Sequence, residues 1–282
     1  MAALARFRLE EGMFRPLVVL TSLLLLWASA GAQTAPDVPE PGSIEAIAAA
    51  TTEKEFLSPW VSYLPDSSTV PSPMKFLGRI PGAPGELVGT VKAYAYCRAL
   101  AAASPRVRVF TLGHSEEGRE ILMVAIADEA GIRDLDKLKA ATAALADPRR
   151  TDPAAAQQLI KTARPIYYFN AALHSDETGS TEATLELAYR LAISEQPMIR
   201  RIRQRLVVLI NPVSNPDGLD KVVEWFYEYL KGKTDFATLP RQSPPYWSKY
   251  TFVDINRDTH QQTHETTKAV HHMFEQWHPT VV

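Results

Sequence analysis

The sequence predicts an α/β fold, a mixed and largely parallel central sheet flanked by helices. Short apolar runs of strand length alternate with longer stretches of helical spacing from residue 85 onward. Two of those runs, 121–127 (ILMVAIA) and 205–210 (RLVVLI), are apolar almost without interruption, as buried strands are. The chain has 282 residues, 46% of them hydrophobic and 22% charged, so an ample core is available and disorder of the whole chain is excluded.

In chain order, residues 85–104 have helical spacing. Residues 106–112 (RVRVFTL) alternate as a half-buried strand, and the turn residues 115–118 join this run to 121–127 as a hairpin. Asp134 is placed to cap a helix through Ala146. Asp152-Pro153 starts another, with proline at the first helical position. A strand is expected within 165–173 (PIYYFNAAL), a helix over 179–195 and a strand at 205–210. Residues 219–230 read as a helix with Trp225, Phe226 and Tyr229 on its apolar face. Then come a short strand at 252–255, a helix at 265–277 and the start of another apolar run at 280–282. Strands followed by helices direct attention to the strand ends, where α/β sheets place their sites.

The amino terminus reads as an address. Residues 16–30 (PLVVLTSLLLLWASA) are apolar but short for a membrane span, follow Arg15, and lead into Ala28-Ser29-Ala30 and Ala30-Gly31-Ala32. Residues 1–32 are expected to be a signal peptide cut after Ala30 or Ala32, with no stable membrane span. The mature protein is expected to be secreted or periplasmic. Residues 33–84, rich in proline, are expected to form an extended lead-in with little regular structure before the α/β domain at 85–282. A net charge of −2 leaves no basic footprint for nucleic acid. The single cysteine, Cys97, excludes an intrachain disulfide framework and reads as a small buried hydrophobe.

Three constellations carry chemistry. His174-Ser175-Asp176-Glu177 follows the strand ending at Leu173, and an imidazole and a carboxylate three residues apart can converge on a metal if the chain turns sharply between them. Alone, H-x-x-E also occurs on helix surfaces. Asn215-Pro216-Asp217-Gly218 follows the next strand and reads locally as a tight turn. Asp254-Ile255-Asn256-Arg257-Asp258 offers a guanidinium and an amide for a carboxylate, or a local salt bridge of Arg257 to Asp254 or Asp258.

Taken in order, these motifs resemble the zinc carboxypeptidases of the carboxypeptidase A type, the funnelins (peptidase M14-like). Upstream, Gly113-His114-Ser115-Glu116-Glu117-Gly118-Arg119 is similar to the family's G-x-S-x-E-G-R hairpin, with His114 structural. The resemblance covers roughly residues 85–282. It implies that His174 and Glu177 bind one zinc ion and that Asn256 and Arg257 grip the terminal carboxylate of peptide or protein substrates. It implies a metallocarboxypeptidase that hydrolyses the C-terminal peptide bond.

The chain also departs from the family pattern. The family's third ligand, a His on a later strand, and its glutamate general base are expected downstream of Val282. The sequence is therefore expected to be truncated before the third zinc ligand, with the C-terminal part of the fold missing. His260, His264, His271, His272 and His278 are the substitutes available. No oxyanion residue is assigned: Arg241 is the one arginine between Gly218 and Asn256. The alternatives are an amidohydrolase or deacylase on the same fold and a non-catalytic remnant that binds peptide termini.

Overall fold

Period-two alternation along the strands sorts the core into two layers, one on each face of the sheet. The chain is given by a computed structural model that describes residues 37–242, 244, 246–249 and 251–282. The expected signal peptide at 1–32 lies outside the described residues. The compact unit described here is 37–282.

Its elements follow in order. Helix α1 (Ser43–Ala50) and α2 (Pro73–Leu77) lie in the proline-rich segment. Then come α3 (Thr90–Ala103), strands β1 (Val107–His114) and β2 (Glu120–Ile126), and helices α4 (Glu129–Arg133), α5 (Leu135–Ala146) and α6 (Pro153–Thr162). Helix α6 starts as expected: the Asp152 side chain accepts the Ala155 amide at 2.8 Å, with Pro153 at the first position. Strand β3 (Ile166–Asn170) leads to α7 (Thr178–Ile193) and α8 (Pro197–Arg205), and β4 (Val207–Asn211) leads to α9 (Pro216–Trp225). A π turn (Phe226–Leu230) extends α9, and a 3-10 turn (Ile255–Arg257) precedes α10 (Glu265–Trp277).

The sheet order is β1-β2-β4-β3. It is mixed: β1–β2 and β2–β4 are antiparallel, and β4–β3 is parallel. A further parallel bridge joins Tyr167 to Val281. Leu122, Val124, Ile126, Val208 and Ile210 face a cluster built from α3, α7 and α9. Met123, Ala125, Val207 and Leu209 face the opposite cluster, which contains Leu135 of α5 and Met273 and Trp277 of α10. Helices on both faces explain why β2 and β4 are apolar at successive positions.

Three local expectations need correction. No strand forms at 252–255: Phe252 is 93% exposed. There the Asp254 side chain accepts the Asn256 amide and its carbonyl accepts the Arg257 amide, both at 2.8 Å, a local turn that competes with sheet pairing. Leu219 and Val223 form the buried face of α9, while Trp225 and Phe226 are half-buried and Tyr229 is exposed, because at about 100° per residue Trp225 and Tyr229 share a stripe well off the Leu219–Val223 face. Helix α8 was not expected; its arginines mask the apolar spacing of Ile199 and Ile202, which pack on the first cluster.

The segment from residue 37 to 84 packs on α7. The Tyr189 hydroxyl donates to the Pro65 carbonyl at 2.6 Å, and Arg79 pairs bidentately with the buried Glu182. Among the described residues no helix is long and apolar enough to cross a membrane.

Candidate metal centre

Strands β3 and β4 are parallel, so both end at the same edge of the sheet. A buried polar network ties those ends together. The Tyr168 hydroxyl donates to Asn170 Oδ1 at 2.7 Å, and Asn211 Nδ2 donates to the same oxygen at 3.2 Å. Beyond the strands the two loops continue side by side: the Ser214 amide donates to the Ala171 carbonyl at 2.8 Å and the Asn215 amide to the Ala172 carbonyl at 3.0 Å. Ala172 is fully buried in the left-handed region with φ 49°, a conformation costly for a residue with a Cβ. Its amide is held by Ser180 Oγ at 2.9 Å.

The chain turns sharply over the next residues. The Glu177 amide donates to the His174 carbonyl at 3.1 Å, which closes the turn and puts both side chains on one side. His174 Nδ1 lies 2.9 Å from Glu177 Oε1. Two ligands of one tetrahedral zinc stand roughly 3.3 Å apart, given bonds of about 2.0–2.1 Å. At 2.9 Å the two side chains are hydrogen-bonded to each other, somewhat closer than that spacing, so a small separation would be needed to seat them as two ligands of one zinc ion. Among the described residues no group of three or more His, Cys, Asp or Glu is gathered for a metal. Of the later histidines, His264 Nδ1 is 3.5 Å from Glu116 Oε1 and His271 Nδ1 is 3.1 Å from Gln262 Nε2, while His264 Nε2 and His278 Nδ1 are buried without a hydrogen-bond partner among the described residues.

Two aromatic residues flank the turn. The His174 ring lies 6.2 Å from Tyr246 and 5.9 Å from Trp247, centroid to centroid. The Tyr246 hydroxyl donates to Asp176 Oδ1 at 2.8 Å. Partial burial and the neighbouring carboxylates of Asp176, Glu177 and Asp254 push that phenol up to about 12. The Tyr246 carbonyl accepts from the buried Ser175 hydroxyl and, at 3.4 Å, from Asn215 Nδ2. Sequence reasoning passed over Ser175, Tyr246 and Trp247; the only signal was an aromatic pair directly after two prolines.

Asn215-Pro216-Asp217-Gly218 forms the expected turn. Asn215 Oδ1 accepts the Gly218 amide at 3.0 Å and so caps α9. Gly218 has no room for a side chain: a Cβ would stand 2.4 Å from Asn215 Nδ2 and 2.5 Å from the Tyr246 carbonyl oxygen. Asp217, fully buried, reaches the β1–β2 hairpin. It accepts the Ser115 hydroxyl at 2.6 Å, the Glu117 amide at 3.1 Å and Arg119 Nη1 at 3.0 Å. From the same turn Glu116 accepts the Thr266 hydroxyl at 2.9 Å, at the start of α10. His114 is exposed on β1, outside this cluster.

Asn256 borders a cavity of about 150 Å³ together with Asn170, Leu173 and His271, which places it at the strand edge that carries His174. Arg257 is exposed on the adjoining turn and forms neither anticipated salt bridge. Among the described residues its side chain makes one hydrogen bond, to the Asn256 carbonyl at 3.5 Å. Asp258 instead caps the following loop. It is fully buried and accepts the Thr263 amide at 3.1 Å, the Thr263 hydroxyl and the His264 amide at 2.9 Å. Burial opposes its charge, but these donors hold its carboxyl well below the usual range.

Residues 93–279 match the family profile described as zinc carboxypeptidase, and the chain belongs to that family. Among solved structures it is similar to carboxypeptidase A of Helicoverpa armigera, at 23% identity and a TM-score of 0.36, over 49% of this chain and 27% of that one. It is also similar to bovine thrombin-activatable fibrinolysis inhibitor, solved with a tick carboxypeptidase inhibitor, at 12% identity and a TM-score of 0.41, over 67% and 56%. A metallo-carboxypeptidase of Burkholderia cenocepacia matches at 18% identity and a TM-score of 0.33, over 47% and 28%. The chain thus spans between about a quarter and just over half the length of these proteins. No curated protein matches it.

Proposed function

We propose that the chain functions as a zinc-dependent metallocarboxypeptidase that removes the terminal residue from peptides or proteins with a free C-terminus. The observation that carries this reading is the convergence of His174 Nδ1 and Glu177 Oε1 at the end of β3, in a chain of the zinc carboxypeptidase family. His174 and Glu177 would hold the metal as two of its ligands. Bound zinc would polarise the scissile carbonyl and lower the pKa of a coordinated water. Arg257 would meet the terminal carboxylate with paired hydrogen bonds, since its guanidinium is exposed and carries no carboxylate partner among the described residues, and Asn256 would add an amide donor. Recognition of the free carboxylate confines cleavage to chain ends. The charged n-region, apolar run and A-x-A sites before residue 33 support export, to the periplasm or outside the cell.

A second reading is favoured by the count of two metal donors: a non-catalytic domain that binds peptide termini. Zinc analysis of the purified chain, paired with hydrolysis of peptides bearing free or amidated C-termini, decides between them. Stoichiometric zinc and release of terminal residues only from free C-termini are expected. Release from N-acyl amino acids alone would instead place the activity with the deacylases. Peptide binding without zinc or hydrolysis would leave the non-catalytic reading.

A further inference from the structure

The two residues between the proposed metal ligands, Ser175 and Asp176, are both held by one residue from a distant loop. Ser175 is fully buried, and its hydroxyl donates to the Tyr246 carbonyl. Asp176 accepts the Tyr246 hydroxyl at 2.8 Å. The same carbonyl also takes the Asn215 side chain, so Tyr246 joins the loop after β3 to the loop after β4. Gly218 completes the junction by leaving the carbonyl space to approach.

From this geometry we propose that Tyr246 is a positioning residue for the metal-binding turn, holding Ser175 and Asp176 so that His174 and Glu177 face one cation. The proposal rests on the metal reading above. The turn in which the imidazole and carboxylate meet is closed by the Glu177 amide on the His174 carbonyl. Between those two groups the backbone is fixed by Tyr246 through one main-chain and one side-chain contact. Groups that hold metal ligands from behind set affinity even though they do not touch the ion.

The test uses the full chain and two readouts. Zn²⁺ affinity is measured by competition with a chromogenic chelator, and exchange of the Glu177 amide is followed in metal-free protein. Ser175→Ala is expected to weaken Zn²⁺ binding about 10-fold and to speed Glu177 exchange. Tyr246→Phe, which keeps the carbonyl contact, is expected to give a smaller change in the same direction in both readouts. Parent-like zinc affinity and exchange in both Ser175→Ala and Tyr246→Phe would overturn the proposal. A parent chain without zinc affinity would overturn the metal reading itself. Faster exchange in the variants would then still uphold Tyr246 as the residue that sets the turn, and unchanged exchange would sink that as well.

Discussion

Asp217, in the turn after β4, accepts the Ser115 hydroxyl at 2.6 Å, a contact that fastens the loop at one end of the sheet to the β1–β2 hairpin. The carboxylate has no exposed surface and also takes the Glu117 amide and the Arg119 guanidinium. Removing it strands buried donors. Asp217→Ala is expected to lower stability by about 3 kcal/mol, and Asp217→Asn by less, as read from urea unfolding at pH 7.

Acid should expose two further carboxylates. Glu117 is opposed by burial, yet hydrogen bonds from Lys221 and Arg119 lower it from 4.5 to about 2. Asp258 is held down in the same direction by Thr263 and His264. A carboxyl whose folded value is depressed contributes stability that is present above its unfolded value and lost as pH falls through the folded one. The urea midpoint should therefore decline from about pH 4.5 towards pH 2. Asp258→Asn should be less stable than the parent at pH 7 and should lose less over that interval. An equal loss in both proteins would remove Asp258 from the account.

Truncating Arg257 tests the proposed substrate grip apart from the proposed metal site. Arg257→Ala is expected to reduce kcat/KM for peptides with free C-termini by tens to thousands of fold, about 2–5 kcal/mol, while the zinc content stays at the parent level. His174→Ala should do the reverse for metal and abolish zinc retention. Loss of zinc in Arg257→Ala would show that the two groups are not independent.

Gly218→Ala adds a Cβ where two polar atoms already stand within 2.5 Å. Both belong to the junction of three loops, so the neighbours cannot yield independently. A loss of about 1–3 kcal/mol is expected by thermal unfolding, as for other insertions into packed interiors. A neutral outcome would mean that the loop at 246–247 shifts freely.

Cys97 lies on α3 inside the first core cluster, and burial pushes its thiol up to about 12. It should resist a thiol reagent at pH 8 in the folded protein and react fully in denaturant. Rapid labelling without denaturant would contradict its position in the core.

Much of the fold was legible because periodicity reports burial directly. Continuous apolar runs located β2 and β4, and Asp152-Pro153 located the start of α6. The same method mistook 252–255 for a strand, since an Asp side chain that bends its own backbone leaves no mark on hydrophobic spacing. It also missed α8, whose arginines are not all exposed: Arg203 is buried and donates to backbone carbonyls of α7 and its C-cap. At the site, His174 and Glu177 could be named from residue type and spacing. Ser175 and Tyr246 could not, because their contact spans 71 residues and runs through a main-chain carbonyl that any residue would carry.

The β1–β2 turn touches the first turn of α9 through Asp217 and the first turn of α10 through Glu116. A protease nick between Glu117 and Gly118 would leave every strand ladder intact. It would nonetheless slacken the Asn215 loop and the Asn256-Arg257 turn together. The hairpin is thus a keystone, and damage to it would be felt at the starts of α9 and α10 before the sheet itself gave way.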